Sequence, residues 1–271
     1  MNRRHFLGTL ASTTLLFSRD RASAQTDTLE TIIGEVAADP SIVENSWLYR
    51  EHNASKGVGQ GTPSMRKLPP SAIDLIVAFE IASPTVYEAK YRRPIWPKGE
   101  SGVTIGVGYD LRFANKSTID RDWHELPQDW RELLYPACGL GGAAAASFLK
   151  SVRVVEIHWE AARKQFLDFL PYPTKETENV FPNCDKLSDE CFGSLVSIVY
   201  NRGSQVSRSI DRRREMYEIR QLMKSGDRSS FRQIPSLIRS MKRIWEGNPE
   251  ARGLIKRREA EAILFERGLG G

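Results

Sequence analysis

With 271 residues, of which 40% are hydrophobic and 27% charged, the chain has the length and composition of an ordinary globular protein with a substantial core. No apolar run reaches the roughly 20 residues that a membrane-spanning helix needs. The formal net charge is +5, and no nucleic-acid-binding motif accompanies the basic residues. The sequence therefore argues against a membrane-spanning protein and against a nucleic-acid-binding one.

The first 24 residues are typical of a secretory signal peptide. Arg3-Arg4 precedes an apolar stretch, and Ala22-Ser23-Ala24 has the small-residue pattern of a cleavage site. The arginine pair followed by Phe6-Leu7 favours twin-arginine export. We expect cleavage after residue 24 and a periplasmic or secreted mature protein.

Residues 25–66 are predicted to form an N-terminal extension and linker. They contain one short helical pattern from Leu29 to Val36 and then become rich in Gly, Ser and Asn. A helix with a capping box of Ser71 and Asp74 is predicted to follow and to stop before Ser83-Pro84. The main domain is therefore expected to span residues 67–271.

Residues 103–109 predict a short strand and hairpin, because β-branched residues give way to alternating glycines. From about residue 128 the pattern is helical, and Pro235 is expected to kink or split the helix in which it falls. The sequence thus predicts a predominantly helical α+β fold with a small antiparallel β-hairpin. The predicted helices cover residues 128–135, 142–150, 156–170, 188–201, 211–224, 228–244 and 252–267.

Glu80 is the first candidate catalytic residue. It lies in an apolar stretch, and glycoside hydrolysis needs a carboxylic acid that protonates the leaving oxygen. Taken alone, its position is better explained by a solvated charge near a helix end. Thr104 and Asp110 form the second candidate pair, which would hold and orient a water molecule, although Asp110 would also suit a turn residue that caps its own backbone.

These motifs together resemble the lysozyme superfamily. Glu80 followed by Thr104-Ile105-Gly106-Val107-Gly108 is similar to the phage-type lysozymes, and the six-residue step to Asp110 is similar to the pesticin-like muramidases. The stretches 194–203 and 253–261 resemble the later helices of that superfamily. The resemblance spans residues 70–267 and implies a two-lobed fold with a cleft.

The resemblance also implies a role for each matching residue. Glu80 would be the general acid, Thr104 would position the attacking water, and Asp110 would be the pesticin-type aspartate. Tyr109 stands where phage enzymes usually carry His, and Asn201 stands where they place a polar cleft residue; both are expected to bind substrate. The position of the phage-type aspartate is occupied by Lys98, which cannot serve as a carboxylate; Glu100 lies nearby as a substitute, but Asp110 is preferred.

The histidines, cysteines, tryptophans and arginine runs do not indicate a further functional site. The scattered histidines and three cysteines show no metal-ligand spacing, so no metal or other cofactor is expected, and a Cys184–Cys191 disulfide is left open. Most of the tryptophans are expected to pack in the core, and the runs Arg212-Arg213-Arg214 and Arg257-Arg258 are expected to lie on solvated helix faces. The tryptophans considered as sugar-stacking alternatives are Trp123, Trp130, Trp159 and Trp245.

The expected activity is hydrolysis of the β-1,4 bond of peptidoglycan glycan strands, with the strand as the partner. A lytic transglycosylase remains an alternative, because it needs a catalytic Glu but can dispense with the second carboxylate. A non-catalytic wall-binding or toxin-like module on the same scaffold is a third reading, favoured by Lys98. An inhibitor or immunity partner is not indicated by the residues.

Overall fold

The structure is a computed structural model that describes residues 28–51, 57–59 and 61–270. The expected signal peptide, residues 1–24, lies outside the described residues. The fold is predominantly helical with one two-stranded antiparallel sheet, which confirms the predicted fold class. Within the described residues, no helix is both long and apolar enough to cross a bilayer.

Helices occupy each of the ranges predicted from residue 128 onward and the two predicted near Leu29 and Ser71, and Pro171–Val180 forms an additional helix that was not predicted. The helices are α1 (Leu29–Ala38), α2 (Ser41–Glu44), α3 (Pro70–Ile81), α4 (Pro84–Val86), α5 (Lys116–Asp122), α6 (Gln128–Leu134), α7 (Gly142–Val152), α8 (Trp159–Phe169), α9 (Pro171–Val180), α10 (Asp189–Arg202), α11 (Arg214–Ser225), α12 (Arg228–Phe231), α13 (Ile234–Ser240) and α14 (Arg252–Gly270). A π-helical turn, Tyr87–Tyr91, follows α4, and single 3-10 turns connect several of the others.

The sheet is the predicted hairpin. Strand β1 (Thr104–Ile105) pairs with β2 (Tyr109–Asp110) in a register that places Thr104 opposite Asp110. A single bridge from Ile95 to Thr104 extends β1 on its other side. Directly opposite residues of an antiparallel pair project from the same face, so Thr104 and Asp110 share one face of the hairpin.

Helix α10 is the central helix of the molecule, and every residue from Cys191 to Arg202 is buried. It packs most extensively against α14 and also against α3 and α9. Gly193 permits the close approach to α3, because a Cβ at this position would lie 2.5 Å from the Cβ of Ala72. A helix that is buried on all sides fixes the positions of its neighbours.

Two main hydrophobic clusters both include residues of α10. The first gathers around the hairpin and contains Tyr109, Trp123 and Phe166, together with Tyr200 of α10. The second contains most of the apolar residues of α10 and those of α11, α13 and α14. Tyr200 therefore belongs to the first cluster while the rest of α10 belongs to the second.

Within the predicted extension and linker, residues 25–66, helix α1 packs against α3. Leu29, Ile32 and Val36 of α1 are buried in a cluster with Leu75 and Phe79 of α3. The apolar spacing that predicted a short helix thus also supplies a face that packs on the main domain.

The start of α3 differs from the predicted capping box. Pro69 occupies the N-cap position without a side-chain cap, and Ser71 lies inside the first turn. The Ser71 hydroxyl donates instead to Glu190 Oε1 at 3.1 Å, which ties α3 to the start of α10. The predicted end of the helix before Ser83 is confirmed.

Candidate active site

Glu80 lies one residue before the end of α3, where the helix reaches the hairpin loop. Its side chain is 1% exposed. A Cβ added to Gly108 would lie 3.3 Å from Glu80 Oε2, and Gly108 has a φ of +79°, which L side chains rarely adopt. Gly108 therefore provides both the backbone conformation and the space that bring the loop against the carboxylate.

Two arginines hold the Glu80 carboxylate from opposite ends of the chain. Arg257 of α14 donates from Nη1 to Oε1 at 2.7 Å, and Arg50 donates from Nη1 to Oε2 at 2.8 Å. Arg50 also donates to the carbonyl of Phe79 at 2.7 Å. Burial lowers the pKa of the Arg50 guanidinium, and the Glu80 carboxylate opposes this effect.

Behind Glu80, α10 and α14 are joined by a buried network of charges. Arg257 Nε lies 3.2 Å from Glu261 Oε1, which also accepts hydrogen bonds from Arg258 and from the Ser197 hydroxyl. Arg257 and Arg258 are 1% and 0% exposed. The expectation that they lie on a solvated helix face is therefore wrong, because their helix faces α10 rather than solvent.

Thr104 and Asp110 lie together at the base of the hairpin, as their spacing predicted. The Thr104 hydroxyl donates to the Gly102 carbonyl at 3.3 Å. Asp110 Oδ1 accepts the backbone N–H groups of Gly102 at 3.0 Å and Arg112 at 2.9 Å. The backbone-capping role that was considered for Asp110 is thus present, and the same carboxylate shapes the loop before β1.

The structure places the two residues expected to bind substrate inside the molecule. Tyr109 is fully buried, and its hydroxyl donates to Asp122 Oδ2 at 2.9 Å. Asn201 is 1% exposed, and its side-chain oxygen accepts from Arg258 at 3.2 Å. Asn201 therefore belongs to the buried charge network, one step behind Glu80.

Tyr200, the residue before Asn201, makes the contact between α10 and the hairpin loop. Its hydroxyl donates to the Val107 carbonyl at 3.1 Å. Burial raises the pKa of this hydroxyl, and the nearby Glu80 carboxylate raises it further, so Tyr200 keeps its proton. The contact fixes the loop beside Glu80.

Sequence reasoning did not identify Arg50, Arg213 or Glu261 as parts of the site. Arg213 was expected on a solvated face, but its side chain is 7% exposed and pairs with Glu51. The spacing of Arg257, Arg258 and Glu261 was a usable signal, since residues three and four apart share one helix face. Arg50 offered none, because the contact spans 30 positions of the chain.

The tryptophans and cysteines considered in the sequence analysis are buried or half-buried. Trp123 and Trp245 are buried, as expected, and Trp130 and Trp159 are half-buried. The open question of a disulfide is answered by three free cysteines; Cys184 donates to the Phe181 carbonyl.

A family model matches part of the chain. Residues 77–191 match the model of a family described as "Domain of unknown function (DUF8812)". The match covers less than half of the chain and includes the end of α3, the hairpin and α5 to α9. No curated protein matches the chain significantly. The matched range contains Glu80, Thr104 and Asp110, whereas Arg50 and Arg257 lie outside it.

Proposed function

We propose that the chain is a muramidase, which hydrolyses the β-1,4 bond of peptidoglycan glycan strands with Glu80 as the general acid. The observation that carries the proposal is the convergence of four segments on one buried carboxylate. The end of α3 supplies Glu80, the hairpin loop meets it at Gly108, α14 contributes Arg257, and α10 reaches the same loop through Tyr200. These are the segments that carry the resemblance to the lysozyme superfamily.

In the proposed reaction, Glu80 donates a proton to the glycosidic oxygen as the bond to the sugar carbon breaks. Arg257 keeps the carboxylate oriented and thus acts as a positioning residue. The hydroxyl of Thr104 has acceptor lone pairs for a water molecule, and Asp110 on the same hairpin face would orient that water and accept its proton as the water oxygen bonds to the sugar carbon. Arg50 has to leave Glu80 first, because the carboxylate is otherwise enclosed.

The test is Glu80→Gln, which keeps the shape of the side chain but cannot supply an acidic proton. We expect the release of reducing ends from purified peptidoglycan to fall by about 10²–10⁴-fold, the usual contribution of general acid catalysis. Glu246→Gln, an exposed glutamate, is the matched control and is expected to retain the wild-type rate.

Glu80→Gln also removes the charge between two arginines, so thermal unfolding has to be measured in parallel. If this variant does not fold, Glu80→Asp keeps the charge while withdrawing the carboxylate from its place. A folded Glu80 variant that keeps more than about a tenth of the rate, or a wild-type protein that binds sacculi but releases no reducing ends, would contradict the proposal.

A lytic transglycosylase is the second candidate, and the engagement of Asp110 with the backbone of Gly102 and Arg112 favours it. In such an enzyme a hydroxyl of the sugar itself attacks the bond, so no carboxylate is needed to activate water. Mass spectrometry of the products separates the two reactions, because hydrolysis adds one water and the intramolecular attack leaves an anhydro-sugar.

A further inference from the structure

Glu51, the residue after Arg50, has its carboxylate in a fork of arginines. Arg202 at the end of α10 donates from Nη2 to Oε1 at 2.9 Å, and Arg213 pairs with Oε2. Arg212 Nη2 lies 3.7 Å from Oε1. Both oxygens of one carboxylate are thus held, which is the geometry in which arginines recognise carboxylates.

The arginine fork is fixed by contacts that do not involve Glu51. Arg213 Nη1 donates to the Arg202 carbonyl at 2.6 Å, and Arg202 donates to the Arg212 carbonyl. The guanidiniums of Arg202 and Arg212 also lie 5.7 and 5.8 Å from the ring centre of Trp245. The fork is therefore preorganised for an anion and would persist without Glu51.

One carboxylate does not satisfy this fork. The Arg202 side chain is fully buried, yet its Nε and Nη1 have no hydrogen-bond partner among the described residues. Burial lowers the pKa of Arg202 and of Arg213, and Glu51 opposes this effect in both. A buried guanidinium is costly unless an anion pairs with it, so these arginines favour a carboxylate in the position that Glu51 occupies.

The fork also lies next to the candidate acid. Arg50 and Glu51 are consecutive, so their Cα atoms are about 3.8 Å apart, and Arg50 contacts Glu80 while Glu51 contacts the fork. One dipeptide thus covers the acid with a cation and the arginines with an anion. A ligand that displaces it would place a neutral group at Glu80 and a carboxylate at the fork.

We propose that Arg202, Arg212 and Arg213 form a binding site for a carboxylate of the substrate, and that Glu51 fills this site when no substrate is bound. The inference rests on the proposed function, because peptidoglycan strands carry peptide stems that end in carboxylates. The site would select strands with their stems attached over bare glycan.

The first experiment replaces the Glu51 side chain and offers acetate in its place. In Glu51→Ala, sodium acetate should raise the thermal unfolding temperature by several degrees more than sodium chloride of equal ionic strength. Wild type, in which Glu51 occupies the fork, and Glu51→Ala combined with Arg213→Met should show no such difference. Equal responses to both salts in Glu51→Ala would overturn the proposed site.

The second experiment measures binding of a purified disaccharide-peptide by calorimetry, with the same compound amidated at its stem carboxylates as the control. We expect at least tenfold tighter binding of the free acid to Glu51→Ala than to wild type, and no such gain for the amide. If Glu51→Ala does not fold, Arg212→Gln, at a half-exposed position, should weaken binding of the free acid but not of the amide.

The outcomes separate the inference from the proposed function. Equal binding of the acid and the amide by every variant would keep a wall-binding function and overturn the carboxylate site. Acetate rescue without binding of either disaccharide-peptide would leave an anion site in the protein and contradict the proposed function, and with it the assignment of the site to peptidoglycan.

Discussion

Arg257 is the residue on which the buried charge network depends, because it pairs with both Glu80 and Glu261. We expect Arg257→Met to lower the free energy of unfolding by about 3–5 kcal/mol, since Glu80 and Glu261, both buried, each lose one of their two arginine partners. Arg257→Lys should recover part of this loss. Urea denaturation measures the effect.

Arg267 provides the control for this substitution within the same helix. Its pairs with Glu30 and Glu190 involve a side chain that is 39% exposed. Arg267→Met should therefore cost no more than about 1 kcal/mol. An equal loss of unfolding free energy in both variants would mean that the buried network behind Glu80 stabilises the protein no more than an exposed ion pair does.

Gly108 offers a test of the approach to Glu80 that leaves the carboxylate in place. In Gly108→Ala, the new methyl group would lie 3.3 Å from Glu80 Oε2 and 3.8 Å from the Tyr200 hydroxyl. We expect at least a tenfold loss of peptidoglycan cleavage, because the loop has to withdraw or the methyl blocks the carboxylate.

Gly247→Ala separates this effect from backbone strain. Gly247 has the same φ of +79°, but a Cβ there meets nothing within 4 Å among the described residues. Both variants should lose about 1–2 kcal/mol of stability from the left-handed backbone. Only Gly108→Ala should lose activity, and an inactive Gly247→Ala would argue against a local effect at Gly108.

Among the secondary-structure elements, α8 begins with a cap that comes from elsewhere in the chain. Glu88 of the π-helical turn accepts the backbone N–H of Trp159 at 2.6 Å, and this hydrogen bond is the main reason that the pKa of Glu88 is below its ordinary value of 4.5. A carboxylate at a helix N-terminus also interacts favourably with the helix dipole.

A lowered pKa in the folded state means that Glu88 adds stability above pH 4.5 and loses it as the pH falls through the folded-state value. We expect Glu88→Gln to cost about 0.5 kcal/mol at pH 7, the lower end for helix caps because the carboxylate is more than a third exposed. The gap between wild type and variant should be constant above about pH 6 and should narrow as the pH falls below 4.5 in thermal unfolding. A gap that does not change as the pH falls below 4.5 would exclude this linkage.

The positions of prolines explain why one helix boundary was predicted correctly and why one helix was missed. Pro235 was expected to split its helix, and the structure has α12 before it and α13 starting at Ile234. No helix was predicted between residues 170 and 188, yet Pro171 and Pro173 lie in the first turn of α9. Backbone N–H groups in a first turn have no intrahelical partner, so proline is tolerated there.

At the scale of the whole molecule, the hairpin and the helical order were predictable, but the charged centre was not. The hairpin followed from local residue preferences between Val103 and Tyr109, which do not depend on distant contacts. The pairing of Glu80 with Arg50 and Arg257 depends on how α3, α10 and α14 pack. A single sequence does not reveal which charges that packing buries.

Tyr200 connects the two large hydrophobic clusters, because it is buried with the hairpin while the rest of α10 belongs to the other cluster. We expect urea unfolding of the molecule to be a single transition, with the same midpoint by tryptophan fluorescence and by circular dichroism. Tyr200→Phe, which removes the bond to Val107, should lower stability by about 1 kcal/mol without splitting the transition. Two separate transitions in the wild type would show that the clusters unfold independently.

The free cysteines offer a way to observe the unfolding of the second cluster, because two of them are buried in it. Burial raises the pKa of the Cys184 thiol to about 12 and also raises the pKa of Cys191, so neither forms a reactive thiolate in the folded protein. Once the half-buried Cys138 is replaced by Ser, alkylation at these two positions would run only as fast as the helices around α10 separate. The rate of thiol alkylation would then report the rate at which the second cluster opens. This rate would be the same under any redox condition that keeps the thiols reduced.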